Sequence, residues 1–363
     1  MTTEELPAPS TSGPAEWTLE ELQLAARNHG MPLEALRYDV TPIGLHYLLT
    51  HFDIPNLDPD AWRLQVRGAV RKPAELRLDD LRARPAVTRR VTMECAGNGR
   101  ARLVPRVLSQ PWLHEAIGTG EWTGTPVADL LDEAGVLDGA VEAVFTGADR
   151  GVQGGIEHAY GRSVALGELR ARGALLAWAL NGVPLPPQHG APVRLVVPGW
   201  YGMTNVKWLT DIELVATPFQ GYQQSQAYRL RQTPDEQGEP LARLGVRALM
   251  IPPGVPDFFT RRRIVERGTH ELRGRAWSGH APIETVELSA DAGRTWKVAV
   301  LDRASDPAAW TGWAATWDAR SAGDHELWCR ATDAAGNGQP EQPVWNLGGY
   351  AVNALHRVPV TVR

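Results

Sequence analysis

Two periodicities share this chain. Thr18-Leu19-Glu20-Glu21 is a capping box, and the helical spacing that follows, stopped by Gly30, predicts a helix. From Ala61 the pattern is mixed. Trp62 to Arg67 alternates as a strand, Leu78 to Arg84 is short and helical, and Val87 to Glu94 is β-branched. Thr125 to Gly135 reads as a helix with a Thr cap, Pro126 at its first position and Gly135 just past its end. Strand-like runs follow at Val141 to Thr146, Leu175 to Ala179, Val193 to Val197 and Trp208 to Val215. This order of elements predicts an α+β domain with many loops.

After about residue 220 the helical spacing stops. A Gln-, Pro- and Gly-rich connection leads to runs at Ile264 to His270, Glu271 to Trp277, Ile283 to Ala290 and Thr295 to Leu301. The last two alternate around Asp291-Ala-Gly293, a hairpin signal. Asp324 to Thr332 puts Leu327, Cys329 and Ala331 on one face before a Gly336-Asn-Gly338 turn, and Val358 to Val362 is a last strand. Short strands at regular spacing predict an immunoglobulin-like β-sandwich. The expected organisation is a tail and helix over 1–37, with the first 15 or so residues disordered, an α+β domain over 38–220 and the sandwich over 221–363. There is no internal repeat.

Composition narrows the function. At 363 residues the chain suits about two domains. A net charge of −5 gives no basic stripe for a nucleic acid, and the densest cationic run, Arg261-Arg262-Arg263, reads as a solvated face. No stretch nears the roughly 18 apolar residues of a membrane helix. The acidic, Pro/Ser-rich start lacks a basic and apolar leader, which predicts the cytoplasm, or the periplasm if an export signal has been removed. Two cysteines, Cys95 and Cys329, are expected as free thiols. Fourteen Trp against 5 Phe and 7 Tyr suit a β-rich interior or an aromatic-walled pocket.

Two segments carry candidate chemistry. In Met93-Glu94-Cys95-Ala96-Gly97-Asn98-Gly99-Arg100 a strand runs into a Gly-rich loop. A cysteine there is most often a buried packing residue. The glycines, which let a ligand approach, and Arg100, which would lower the thiol pKa, also allow a nucleophile or a soft metal ligand. No local His signature nominates a Cys-His hydrolase, and one thiolate is a poor zinc site. The second segment runs from Leu185 through His189 and Arg194 to Gly199, followed by Asn205-Val206-Lys207-Trp208. It is either a surface loop with scattered cations or a pocket where an Arg fork and a Lys converge on an anion.

Cys95-Ala-Gly-Asn-Gly-Arg100, Pro184-Leu-Pro-x-x-His189-Gly-x-Pro-x-Arg194 and Asn205-Val-Lys-Trp-Leu209, in this order and spacing, resemble the molybdenum domain of the sulfite oxidase family. Glu115 to Gly124 fits as well, and the C-terminal part, with Trp345-Asn-Leu and Asn353-Ala-Leu-His-Arg-Val358, resembles that family's dimerisation domain. The resemblance covers roughly 38–363. It implies a molybdopterin-binding catalytic domain over 38–220 whose molybdenum is ligated by Cys95. Tyr47, Thr50, His51, Asp149, His189, Arg194, Asn205, Val206 and Lys207 fall on its cofactor contacts, and Arg100, Trp112 and Tyr228 on its substrate pocket. It further implies a homodimer, a small inorganic sulfur anion as substrate, oxidation of sulfite to sulfate, and an external electron acceptor such as a cytochrome, since no haem-binding domain is visible.

Two positions depart from the family pattern. Leu49 and Gly348 stand where sulfite oxidases usually carry pocket arginines, and Arg102, Arg106 and Arg229 are candidate replacements. The alternative is a molybdoenzyme of the same fold acting on another sulfur substrate: a carrier-bound sulfane dehydrogenase, towards which Leu48-Leu-Thr-His-Phe-Asp-Ile-Pro55 points, or a sulfoxide-type reductase. A non-catalytic binding module is the third reading.

Overall fold

The computed structural model describes residues 17–363. The expected N-terminal tail lies outside them. α1 (Leu19–Arg27) starts at the predicted capping box: Thr18 accepts from the Glu21 amide, and the Glu21 carboxylate accepts from the Thr18 amide.

The first unit carries two sheets. One has the order β2 (Ala74–Leu76), β1 (Leu64–Gly68), β10 (Leu209–Val215), β5 (Glu142–Gln153), β6 (Ile156–Ala165), with only β1 and β10 parallel. The other has the order β3 (Val87–Glu94), β4 (Ile117–Pro126), β7 (Leu175–Leu180), β8 (Val183–Pro184), and β9 (Arg194–Val196) also pairs with β7. α2 (Leu78–Arg82), α3 (Val127–Ala134) and α4 (Leu166–Arg172) bury Leu81, Leu130, Leu131 and Leu169 in one core with Leu64, Phe145, Leu195 and Ile212.

Local expectation and structure part at α3. Thr125 is not its cap, because Thr125 is the last but one residue of β4 and its hydroxyl donates to the Leu81 carbonyl at 3.0 Å. Pro126 holds the N-cap position instead, and Gly135 ends the helix in a left-handed turn as expected.

In the second unit Arg247–Met250, Gly268–Trp277, Thr311–Ala319 and Val300–Asp302 form one sheet. Six strands, ordered Val255–Pro256, Arg263–Val265, His356–Val362, Gly323–Asp333, Ile283–Ser289 and Lys297–Val298, form the other. Trp313, Trp317, Leu327, Cys329 and Val360 pack between them in a sandwich core. Two predicted strands are each split between the sheets. Ile264 to His270 crosses at Glu266-Arg267, and Thr295 to Leu301 crosses at Ala299, whose side chain is buried.

Arg263 does not belong to a solvated face. It is buried, donating to the carbonyls of Pro253 and Gly254 and pairing with Glu34 at 3.0 Å, while Arg262 is half-buried beside Asp324 and only Arg261 is exposed. Both cysteines are free and buried. Among the described residues no helix is long and apolar enough to cross a membrane.

A third core joins the units, with Met31 and Leu36 after α1, Ala96 and Ile117 beside the Cys95 loop, Tyr228 from the connection, and Trp277 and Trp310 from the sandwich. The loop that follows β3 is therefore fixed from three sides.

Candidate active site

β3 ends at Glu94 and delivers Cys95 to a loop of successive tight turns. The Cys95 amide still donates to Ala116 (2.9 Å), and the amides of Asn98 and Arg100 donate to Cys95 and Gly97 (both 3.0 Å). A side chain at Gly97 would meet the Arg100 guanidinium at 2.5 Å, so the glycine lets this arginine fold back over the loop. Arg100 Nε donates to Gly348 and Nη1 to Gln110, both at 3.1 Å.

Burial pushes the Cys95 thiol pKa up, although Arg100, the Gly97 amide and the Trp112 indole N–H pull the other way. The expected low pKa from Arg100 does not arise, because withdrawal of the sulfur from water outweighs an arginine already engaged by two carbonyls. A metal ion in contact would reverse this and deprotonate the thiol outright.

Cys95 stands on the wall between two cavities. The inner one is lined by His46, Tyr47, Asp149, His189, Arg194 and Lys207, with Tyr160 and Trp208. β9 supplies Arg194, which donates to the carbonyls of His189 (3.0 Å) and Asn205 (2.9 Å) and lies over the Trp122 ring. Lys207 Nζ donates to Leu49 (2.9 Å) and Gln188 (3.1 Å), and the left-handed Gly190 leaves room for its stem. An irregularity in the β5–β6 register between Thr146 and Arg150 delivers Asp149.

Burial dominates every titration here. The Lys207 pKa is pushed down to about 7 and that of Arg194 to about 10, while that of Asp149 is raised to about 6. His46 and His189 fall to about 4 and about 2, so both imidazoles are neutral at pH 7.

The outer cavity shares Leu49, His51, Cys95 and Tyr228 with the inner one and adds Arg27, Thr50, Arg100, Gln110, Trp112 and Tyr350. Tyr228, in left-handed conformation at φ 51°, stands beside Tyr160, whose hydroxyl donates to the Met203 carbonyl at 2.7 Å. His51 bonds Gln153 at 2.8 Å.

The predicted site residues converge with one exception among the cofactor positions. Val206 is turned into the hydrophobic core rather than onto either cavity. Asn205 reaches the inner wall but spends its side chain on backbone, accepting from Val197 (2.7 Å) and donating to Tyr201 (3.1 Å). Thr50 lies on the outer cavity, not the inner one.

None of the three candidate replacement arginines lines either cavity. Arg102 lies against His114 (2.6 Å), Arg106 pairs with Glu21, and Arg229 is held by the carbonyls of Gln237 and Gly238. The space beside Gly348 is filled by the Tyr350 ring, 2.2 Å from where a Cβ would sit. Sequence reasoning missed Tyr350, Arg27, His46 and Tyr160. The one signal for His46 was its place beside Tyr47, and the others are brought in only by tertiary packing.

The inner cavity has the chemistry of a phosphate-bearing heterocycle. His46 Nε2, left as an acceptor by the Nδ1 bond to the Tyr47 carbonyl, and Arg194 Nε, a donor, are buried without partners, and two cations face one carboxylate. Orphaned buried groups cost about 1–3 kcal/mol each, which a ligand offering both donors and acceptors recovers. Among the described residues no three His, Cys, Asp or Glu gather to hold an ion. Cys95 therefore suits a metal that brings its other ligands with it.

Residues 51–223 match the oxidoreductase molybdopterin binding domain, and residues 242–363 match the Mo-co oxidoreductase dimerisation domain. The chain is 36% identical over 346 residues to human mitochondrial sulfite oxidase, covering 89% of this chain and 62% of the relative. It is 34% identical over 336 residues to sulfite oxidase of Gallus gallus, covering 88% and 72%. Among solved structures the sulfane dehydrogenase SoxCD from Paracoccus pantotrophus superposes with a TM-score of 0.79 at 26% identity, covering 92% of this chain and 86% of that one. The chain spans less than two thirds of the mammalian relatives' length. With both domains matched in order, the chain belongs to the sulfite oxidase family of molybdopterin oxidoreductases.

Proposed function

We propose that this protein oxidises sulfite to sulfate at a molybdenum cofactor and passes the electrons to an external acceptor. The observation that carries the reading is the position of Cys95, on the wall shared by a cation-lined inner cavity and an arginine-bearing outer one. When bound, the cofactor supplies two-electron redox chemistry and oxygen transfer at its metal.

The chain's own residues supply the rest. Lys207 and Arg194 would hold the cofactor's phosphate, His46 and Arg194 Nε its polar ring edge, and Cys95 its metal. In the outer cavity Arg100 would attract the substrate oxyanion. Tyr228, whose burial keeps its hydroxyl protonated, would donate a hydrogen bond to it, and Trp112 closes the wall beside the thiol. Neutral His46 and His189 leave Arg194 as the full inner cation at pH 7, with Lys207 half protonated beside it. The dimerisation domain supports a homodimer formed through the sandwich, and the two free thiols suit the cytoplasm.

Sulfite-dependent reduction of ferricyanide by molybdenum-loaded protein tests this reading. Saturable turnover is expected, and none from a fully loaded sample would reject sulfite as substrate. Leu49 and the Tyr350-filled space beside Gly348 favour a second reading, oxidation of a sulfane carried on another molecule, as in the similar sulfane dehydrogenase. Loaded protein inert to free sulfite but reduced by a thiol-bound sulfane would select it.

A further inference from the structure

The outer cavity holds a cation that comes from outside the matched catalytic domain. Arg27 is the last residue of α1, and the domain match starts at residue 51. Arg27 lines the same cavity as Arg100, Cys95 and Tyr228. Its side chain is exposed, and Nη2 donates to the His51 carbonyl at 3.5 Å. Among the described residues it forms no ion pair, and no carboxylate lines this cavity.

The placement of Arg27 is built in. The next residue, Asn28, is buried and latches α1 onto the cavity: its amide nitrogen donates to Gln110 Oε1 (2.9 Å) and its oxygen accepts from the Thr50 amide (2.7 Å). His29 and Leu48 exchange backbone hydrogen bonds at 3.2 and 2.8 Å. The helix end is thereby tied to the strip of chain that includes Leu49, where the family pattern would put a cation of its own.

A concave, acid-free lining with two guanidinium groups concentrates field lines on an anion. Arg100 has Nε and Nη1 engaged by carbonyls, and Arg27 has one long bond, so both keep donors for a ligand. We propose that Arg27 is a specificity-determining residue that binds the substrate oxyanion together with Arg100 and replaces the charge absent at positions 49 and 348. This rests on the anion-oxidising function proposed above, but the binding part of it can be measured without turnover.

The experiment compares molybdenum-loaded wild type, Arg27→Ala and Arg27→Lys. Calorimetric titration with sulfate gives Kd for a non-reacting oxyanion, and steady-state assays with sulfite give KM and kcat. Loss of one partly exposed charge-assisted contact is expected to raise Kd and KM in Arg27→Ala by roughly 3- to 10-fold. kcat should stay within about twofold, because uniform binding is removed. Arg27→Lys should recover most of the affinity, and added salt should narrow the gap between variants. Equal Kd values for wild type and Arg27→Ala, or a wild type that binds no sulfate, would overturn the proposal. If sulfate binding depends on Arg27 while sulfite is not oxidised, the anion site stands and the sulfite reading fails.

Discussion

Lys207 is a cation held out of water, and its titration is a stability statement. Burial, helped by Arg194 and opposed by Asp149, brings its pKa down to about 7, well below the 10.5 of a free lysine. A depressed folded-state pKa means that its stabilising contribution is present above the unfolded value and is lost as pH falls through about 7. Asp149 runs the other way: raised to about 6, it contributes below its unfolded value of 3.8 and loses that contribution as pH rises through about 6. In cofactor-free protein, Lys207→Met should therefore gain in melting temperature relative to wild type as pH is lowered from 9.5 to 7. The slope is at most about 1.4 kcal/mol per pH unit. A constant offset between the two proteins across that range would contradict the assignment. At this scale the motifs were informative: Cys95, His189, Arg194 and Lys207 announce themselves by Gly, Pro and cations at fixed spacing. The thiol pKa was not legible, because its sign depends on burial that no motif records.

At the scale of elements, β3 has the bounds its β-branched run predicts, and the reactive loop begins where it ends. β4 was not legible. Its Gly118, Gly120 and Gly124 argue locally against a strand, yet it sits between β3 and β7 because neighbours fill the glycine positions: the Leu180 side chain lies at Gly120 and the Leu176 carbonyl at Gly124. α1 was legible as a helix from its capping box, but its contribution to the cavity was not, since Asn28 meets Gln110 across 82 residues. Asn28→Ala should leave the Thr50 amide and the Gln110 side chain short of partners, costing about 1–3 kcal/mol. Chemical denaturation checks the loss, and KM for the anion should rise as the end of α1 loosens. An unchanged midpoint together with an unchanged KM would mean that α1 is not latched through this residue.

Across the whole molecule, the sandwich supports the loop that carries Cys95. Glu94, immediately before the cysteine, forms a fully buried 2.6 Å ion pair with Arg247, and its other oxygen accepts from the Trp277 indole at 2.8 Å. Asn98 donates to the same carboxylate at 3.0 Å, and Arg247 also reaches His114 Nδ1 at 2.8 Å. Removing one partner of a buried pair costs about 3–5 kcal/mol, because the other charge stays buried and uncompensated. Arg247→Leu should therefore lower stability by that amount and reduce metal loading, measured by denaturation and metal content. A stable, fully loaded variant would show that the sandwich does not hold the loop. The two-domain plan could be read from the shift in periodicity near residue 220, but this bond between domains could not, since its partners lie 153 residues apart. The central claim is that Cys95 binds the metal. X-ray absorption at the molybdenum edge, comparing wild type with Cys95→Ser, tests it most directly. One sulfur neighbour fewer is expected in the variant, with the fold intact and turnover lost. An unchanged sulfur count would contradict it.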